Sequence, residues 1–197
     1  MKDIIQLRVS LLHSKPLIWR QIHVSKEATF FELHHIIQIV LGWKNCHLFE
    51  FGLEGYRIGE IYDDGKIEAL GHNELIESRT VALNDLITHK GETFKYLYDF
   101  GDNWEHLIEV EDFIEKDIRL KYPNCIDGQI NCPPDDSGGL RNFYASMEIL
   151  KDKKHPEYKE NATWFGRNYD PEKFDIEKAN RQLKKLRKYI ANWDSGE

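Results

Sequence analysis

Cysteine is scarce in this chain. Cys46, Cys125 and Cys132 form an odd set, and without an export signal such a set favours free thiols in a reducing cytoplasm. Long apolar runs are missing too: stretches such as Ile36 to Leu41, broken by Gln38, fall far short of the roughly 20 residues that cross a bilayer. Met1 to Leu12 carries Asp3 and Arg8 inside its apolar run, whereas a secretory signal needs an uninterrupted apolar region and a small-residue cleavage site. That segment is expected to stay in the mature protein, and the protein to be cytoplasmic, with no membrane partner. Positive charge is in deficit: a net charge of -7 works against generic nucleic-acid binding, which neutralises phosphates with Lys and Arg. A phosphate-cradling glycine loop followed by Lys and Ser or Thr is absent, as is a dinucleotide fingerprint, so no nucleotide cofactor is expected. Neither an internal repeat nor a low-complexity stretch interrupts the 197 residues, which reads as one domain over 1–197, long enough to bury about two thirds of its unfolded surface.

What is present is periodicity. Ile5, Leu7, Val9 and Leu11 alternate with polar residues, the pattern of a half-buried strand. Pro16 restarts the chain, and Leu17 to Val24 follows as a second strand. Thr29 with Glu32 is a capping-box pattern, and Phe30, Leu33, Ile37, Val40 and Leu41 recur at helical spacing up to Gly42, which predicts a helix with one apolar face and a glycine stop. His47 to Leu53 and Arg57 to Tyr62 read as strands, Asp64-Gly65 as a turn, Lys66 to Leu70 as its second strand, and residues 71–79 as a loop.

The segment Tyr96 to His106, YLYDFGDNWEH, concentrates turn residues, aromatics and acids. Parity constrains its hairpin, because a one-residue slip moves every side chain to the other face. A two-residue turn would mix Tyr96 and Tyr98 with Glu105 on one face. A three-residue loop at Gly101-Asp102-Asn103 instead pairs Phe100 with Trp104, Tyr98 with His106, Tyr96 with Ile108 and Phe94 with Val110, an apolar face throughout. On the opposite face Lys95 meets Glu109, Leu97 meets Leu107, and Asp99 meets Glu105, a like-charge pairing that costs stability. Asp99, Asp102 and Glu105 are therefore candidates to bind a divalent cation or a basic partner, the alternative being a solvated hairpin end. His106 is either a core histidine beside Tyr98 and Trp104 or a general acid or base.

Pro123 to Gly139 is an irregular stretch containing Pro133-Pro134, Asp135-Asp136 and Gly138-Gly139, long enough to suggest function. Asp136-Ser137-Gly138-Gly139 resembles a serine-protease nucleophile motif only superficially, since four residues carry no triad. Leu140 to Leu150 looks helical, so Ser137 or Asp136 is a candidate N-cap. Cys125 and Cys132 are separated by six residues, unlike the short spacings of zinc knuckles, and Cys46-His47 lies far upstream, so buried free thiols are the expectation. At the C-terminus Ile176, Ala179, Leu183, Leu186, Ile190 and Trp193 step by three and four among Lys and Arg residues, one amphipathic helix whose stripe closes the core or forms a homodimer seam. Its basic faces are either solvated or a surface for an acidic partner.

Taken together, Pro16 to Arg20, the Leu33-His34 helix leading to Gly42-Trp43, His47 to Phe51, Tyr96 to His106, and Cys125 through Gly139 resemble the plasmid pRiA4b ORF-3-like family over most of the chain. The chain has Asp135 where members often show Glu and Ser137 where they often show Cys, so a thiol role at position 137 does not carry over. The resemblance implies an accessory or regulatory role linked to mobile DNA, without an established reaction. The expected fold is α+β: a mainly antiparallel sheet with hairpins, packed helices and the C-terminal amphipathic helix. Two functions follow. One is a non-catalytic binding module whose protein partner contacts Asp99, Asp102, Glu105, Asp135 and Asp136. The other is a metal-dependent hydrolase of phosphodiesters, with Asp99, Asp102, Asp135 and Asp136 as metal ligands and His106 as acid or base. The second requires the two acid pairs to converge in space.

Overall fold

The computed structural model describes residues 2–61, 74–166 and 169–195; the Asp64-Gly65 turn and the strand expected over 66–70 lie outside them. Among the described residues, β1 (Lys2–Leu11), β2 (Trp19–Ser25), β3 (Phe49–Leu53), β4 (Tyr56–Gly59), β5 (Leu75–Glu77), β6 (Thr93–Tyr98), β7 (Trp104–Glu115) and β8 (Asn124–Gln129) form one sheet in the order β5-β4-β3-β6-β7-β1-β2-β8. Every pairing is antiparallel except β4 with β5. The fold is α+β. Part of the loop expected over 71–79 is thus strand, because the edge of β4 supplies partners that local pattern does not announce.

The strand alternation sends Ile5, Leu7, Val9 and Leu11 into the core, where each fully buried aliphatic side chain contributes about 1.5–3 kcal/mol. Onto that face packs α1 (Phe30–Leu41), begun by the Thr29–Glu32 capping box and ended by Gly42 at φ 84. Yet α1 is not amphipathic in place: His34, His35 and Gln38 are as buried as Phe30 and Leu33. The cause is a further layer. After α2 (Leu83–Leu86), α3 (Gly139–Lys151) and α4 (Tyr158–Phe165), helices α5 (Ile176–Leu183) and α6 (Leu186–Ser195) pack on the outer side of α1, and Trp193 meets the edges of Phe31 and His35. The single C-terminal helix expected from periodicity is two, broken by a turn at Lys184-Lys185. Their apolar stripe, with Ala179, Leu183 and Leu186 buried, closes the chain's own core.

Strands β6 and β7 keep the expected faces but not the expected partners, and Phe100, expected on the apolar face opposite Trp104, lies exposed in the loop. Phe94, Tyr96, Tyr98, Trp104, His106 and Ile108 all point into the core. The register is Tyr98 with Trp104, Tyr96 with His106, and Phe94 with Ile108, two residues away from the three-residue-loop pairing. A five-residue loop, Asp99 to Asn103, closes the hairpin, with both end residues at positive φ (55 and 56). Its shape comes from Asp99, whose Oδ1 accepts the Gly101 and Asp102 N–H groups at 2.9 and 3.2 Å while its carbonyl accepts from Asn103 N at 2.7 Å. Five residues with two left-handed ends preserve side-chain parity and swing Asp99 out of the pairing with Glu105.

Candidate functional site

The site is built from the loop that leaves α1. Asn45 is held on every polar atom, and its partners fix where the protons sit. The Phe31 carbonyl, 2.9 Å from His35 Nδ1, can only accept, so Nδ1 carries the proton and Nε2 accepts from Asn45 Nδ2 at 3.3 Å. Asn45 Oδ1 accepts from His34 Nε2 at 2.5 Å, which leaves His34 Nδ1 to accept the Tyr96 hydroxyl proton at 2.8 Å. That hydroxyl accepts from Gln38 Nε2 at 2.9 Å, Gln38 Oε1 accepts from Asn45 N at 3.1 Å, and the Asn45 carbonyl accepts from Trp193 Nε1 at 3.3 Å. Both histidines are neutral here. Burial and the neighbouring His35 push His34 well below the usual imidazole range, and burial lowers His35 to about 4.

The same loop is laced to the Pro-Pro-Asp-Asp segment. Trp43 Nε1 donates to the Pro133 carbonyl at 2.7 Å, and Lys44 N donates to Asp135 Oδ2 at 2.6 Å. Tyr98 accepts from Cys46 N at 3.1 Å and donates to Asp135 Oδ1 at 3.2 Å. Across the gap Asp102 Oδ2 accepts from Gly138 N at 2.9 Å, just ahead of α3 (Gly139–Lys151), where a carboxylate also suits the positive end of the helix. Three loops thereby meet at one end of the sheet: residues 43–48, 99–103 and 133–139.

At their junction stand Cys46, His47, Asp99 and Asp136. His47 Nε2 lies 3.0 Å from Asp136 Oδ1 and 3.5 Å from Asp99 Oδ2. The Cys46 sulfur, a His47 ring nitrogen and an Asp136 carboxylate oxygen all fall within 4.8 Å of one another. Tetrahedral bonds of about 2.0–2.3 Å separate their donor atoms by roughly 3.3–3.6 Å. The His47–Asp136 contact is already near that spacing, and Cys46 is exposed at the rim. Partial desolvation at the rim and the nearby Asp135 raise the Cys46 thiol above its ordinary value. Thiolate, imidazole and carboxylate together match Zn²⁺ or Co²⁺ better than Mg²⁺ or Ca²⁺, which take oxygen ligands.

The two acid pairs do converge, but their members divide into different jobs. Asp99 and Asp136 face His47, whereas Asp135 is buried as the tie between Lys44 and Tyr98, with its pKa raised chiefly by that burial. Asp102 ties the hairpin to Gly138. Glu105 joins neither group: it lies in β7 opposite Leu97, and its backbone bonds run to Asn103 and Leu12. His106 is sealed in the core against Trp43 and Tyr96, with neither ring nitrogen in good hydrogen-bond geometry to a partner among the described residues. Burial lowers it to about 4, so a group with no exposure cannot exchange protons with a substrate. Ser137 does not cap α3; its hydroxyl donates to the Pro134 carbonyl at 2.8 Å. Cys125 and Cys132 are buried free thiols, raised by burial to about 11 and about 12. Sequence reasoning passed over Cys46-His47 as too far upstream, and the one signal for it was an adjacent Cys-His pair just past the Gly42 stop.

A sequence model of plasmid pRiA4b ORF-3-like proteins matches residues 3–178. The chain belongs to this family. Among its relatives, the uncharacterized protein y4hQ of Sinorhizobium fredii is 31% identical over 196 residues, covering 97% of this chain and 94% of the relative. The crystal structure of MM3350 from Methanosarcina mazei Go1, a protein of unknown function, matches with a TM-score of 0.78 at 33% identity, covering 88% of this chain and 96% of that one. Neither relative brings an activity to the family fold. No helix among the described residues is long and apolar enough to cross a membrane.

Proposed function

We propose that the protein is a non-catalytic binding module whose ligand-binding end is the meeting point of the three loops, and that Cys46, His47 and Asp136 bind a divalent transition metal there with Asp99 beside them. The observation that carries this reading is the mutual approach of a sulfur, a nitrogen and an oxygen donor within 4.8 Å on two loops far apart in sequence. A second support is the cost invested in holding the first loop still, since each buried polar partner of Asn45 would be expensive to leave unpaired. Hydrolysis of phosphodiesters is not part of the proposal, because the acid or base assigned to it, His106, is enclosed. A mobile-element role has only the plasmid in the family's name behind it, an associational argument.

Cobalt titration tests the proposal. Stoichiometric Co²⁺ binding with a thiolate-to-cobalt charge-transfer band is expected, and Cys46→Ser should abolish the band. Asp99→Asn, which removes a negative charge 3.5 Å from the same His47 Nε2 that faces Asp136, should weaken binding by lowering the electrostatic attraction for the cation. Cobalt binding that survives unchanged in a Cys46→Ser, His47→Ala double variant, or no binding to the unaltered chain, would overturn it.

A further inference from the structure

A second site, independent of the metal cluster, lies where α5 gives way to α6. A cavity of about 920 Å³ opens there, within the size range of ligand and peptide pockets. Lys184, Lys185, Arg187 and Lys188 from the turn and the start of α6 line it, and Lys121, ahead of β8, adds a fifth cation. Among the described residues none of the five forms an ion pair. Two acids share the wall, and one of them, Glu32, is committed to capping α1 through its bond from Thr29 N. In a chain of net charge -7 this is a segregated positive patch, the arrangement that attracts an anionic partner.

The floor decides what kind of anion fits. The apolar floor of the cavity is the half-buried Tyr122 and Pro123, backed by the buried Val24, Ile36, Leu183 and Leu186. A phosphate backbone offers nothing to such a floor. A peptide whose carboxylates alternate with aliphatic side chains offers both halves: charge for the rim and an apolar anchor for the base.

We propose that this groove binds an acidic, amphipathic peptide segment of a partner protein. The test is fluorescence anisotropy in the presence of EDTA, which separates the outcome from that of the metal site. The probes are a labelled peptide alternating Glu and Leu, an all-Glu peptide of equal length, and a single-stranded oligonucleotide of equal charge. The Glu-Leu peptide should bind most tightly, weaken as salt is raised, and lose at least tenfold in affinity with Lys184→Glu, Lys188→Glu, two exposed changes whose fold is checked by circular dichroism. Equal binding of the oligonucleotide or the all-Glu peptide would overturn the role of the apolar floor and with it the proposal. So would an affinity unmoved by the double charge reversal in a folded variant.

Discussion

Asn45 shows how one residue places a site without belonging to it. Its φ of 58 lies in the left-handed region that Asn tolerates better than most residues, and its four polar groups join α1, α6 and, through His34, the Tyr96 hydroxyl. Replacing it by Ala leaves His34 Nε2, His35 Nε2 and, through the changed backbone, Gln38 short of partners. Asn45→Ala should therefore cost about 3 kcal/mol, the scale set by buried groups left unsatisfied at 1–3 kcal/mol each. Urea unfolding measures that loss, and Co²⁺ affinity should fall with it because Cys46 and His47 follow directly in the chain. None of this was legible locally. A lone Asn shortly after a Gly-Trp pair reads as loop, and its partners come from positions 34, 35, 38 and 193.

The β6–β7 hairpin was legible in part. Alternation fixed which residues face the core, because parity survives any even shift of register, but the partners shifted by two once Asp99 folded its own carboxylate back onto the loop. That loop leans on the start of α3, and the contact is close: a Cβ on Gly139 would stand 2.9 Å from the Asp102 carbonyl oxygen, at a φ of 74. Gly139→Ala meets both penalties, left-handed strain of about 1–2 kcal/mol and a collision with backbone that has nowhere to yield. A loss of about 2 kcal/mol or more is expected by urea denaturation. The Gly138-Gly139 pair is visible in the sequence, whereas the hairpin that requires it is not. Capping of α1 was the most local signal, and both its hydrogen bonds are present because Thr29 and Glu32 need no tertiary partner.

At the scale of the whole molecule, His34, His35 and His106 are enclosed neutral histidines, each lowered chiefly by burial, and His23, nearer the surface, is lowered in the same direction. Their unfolded counterparts take up protons near the ordinary value of about 6.5. As pH falls from about 6.5 toward 4 the unfolded chain binds more protons than the folded one, so stability is retained above 6.5 and lost on the way down. For His106, lowered to about 4, the loss across that window is about 3 kcal/mol. Unfolding free energies measured by urea at pH 7.5, 6 and 5 should decline with acidity, and His106→Leu should remove about one proton from the slope. A flat profile between pH 7.5 and 5 would contradict the enclosed, neutral state of these rings.

By itself the sequence determined the α+β class, the faces of the strands, the cap and stop of α1, and the family, because each depends on neighbours one to four residues away or on motifs read in order. Only the tertiary structure decided that α1 is buried on all sides, that the C-terminal helix breaks, that Asp102 and Asp135 serve as ties, and that Cys46-His47 meets Asp99 and Asp136. Those outcomes depend on contacts between segments from 36 to 162 positions apart, where side-chain chemistry constrains what can be joined and packing selects which joins are made.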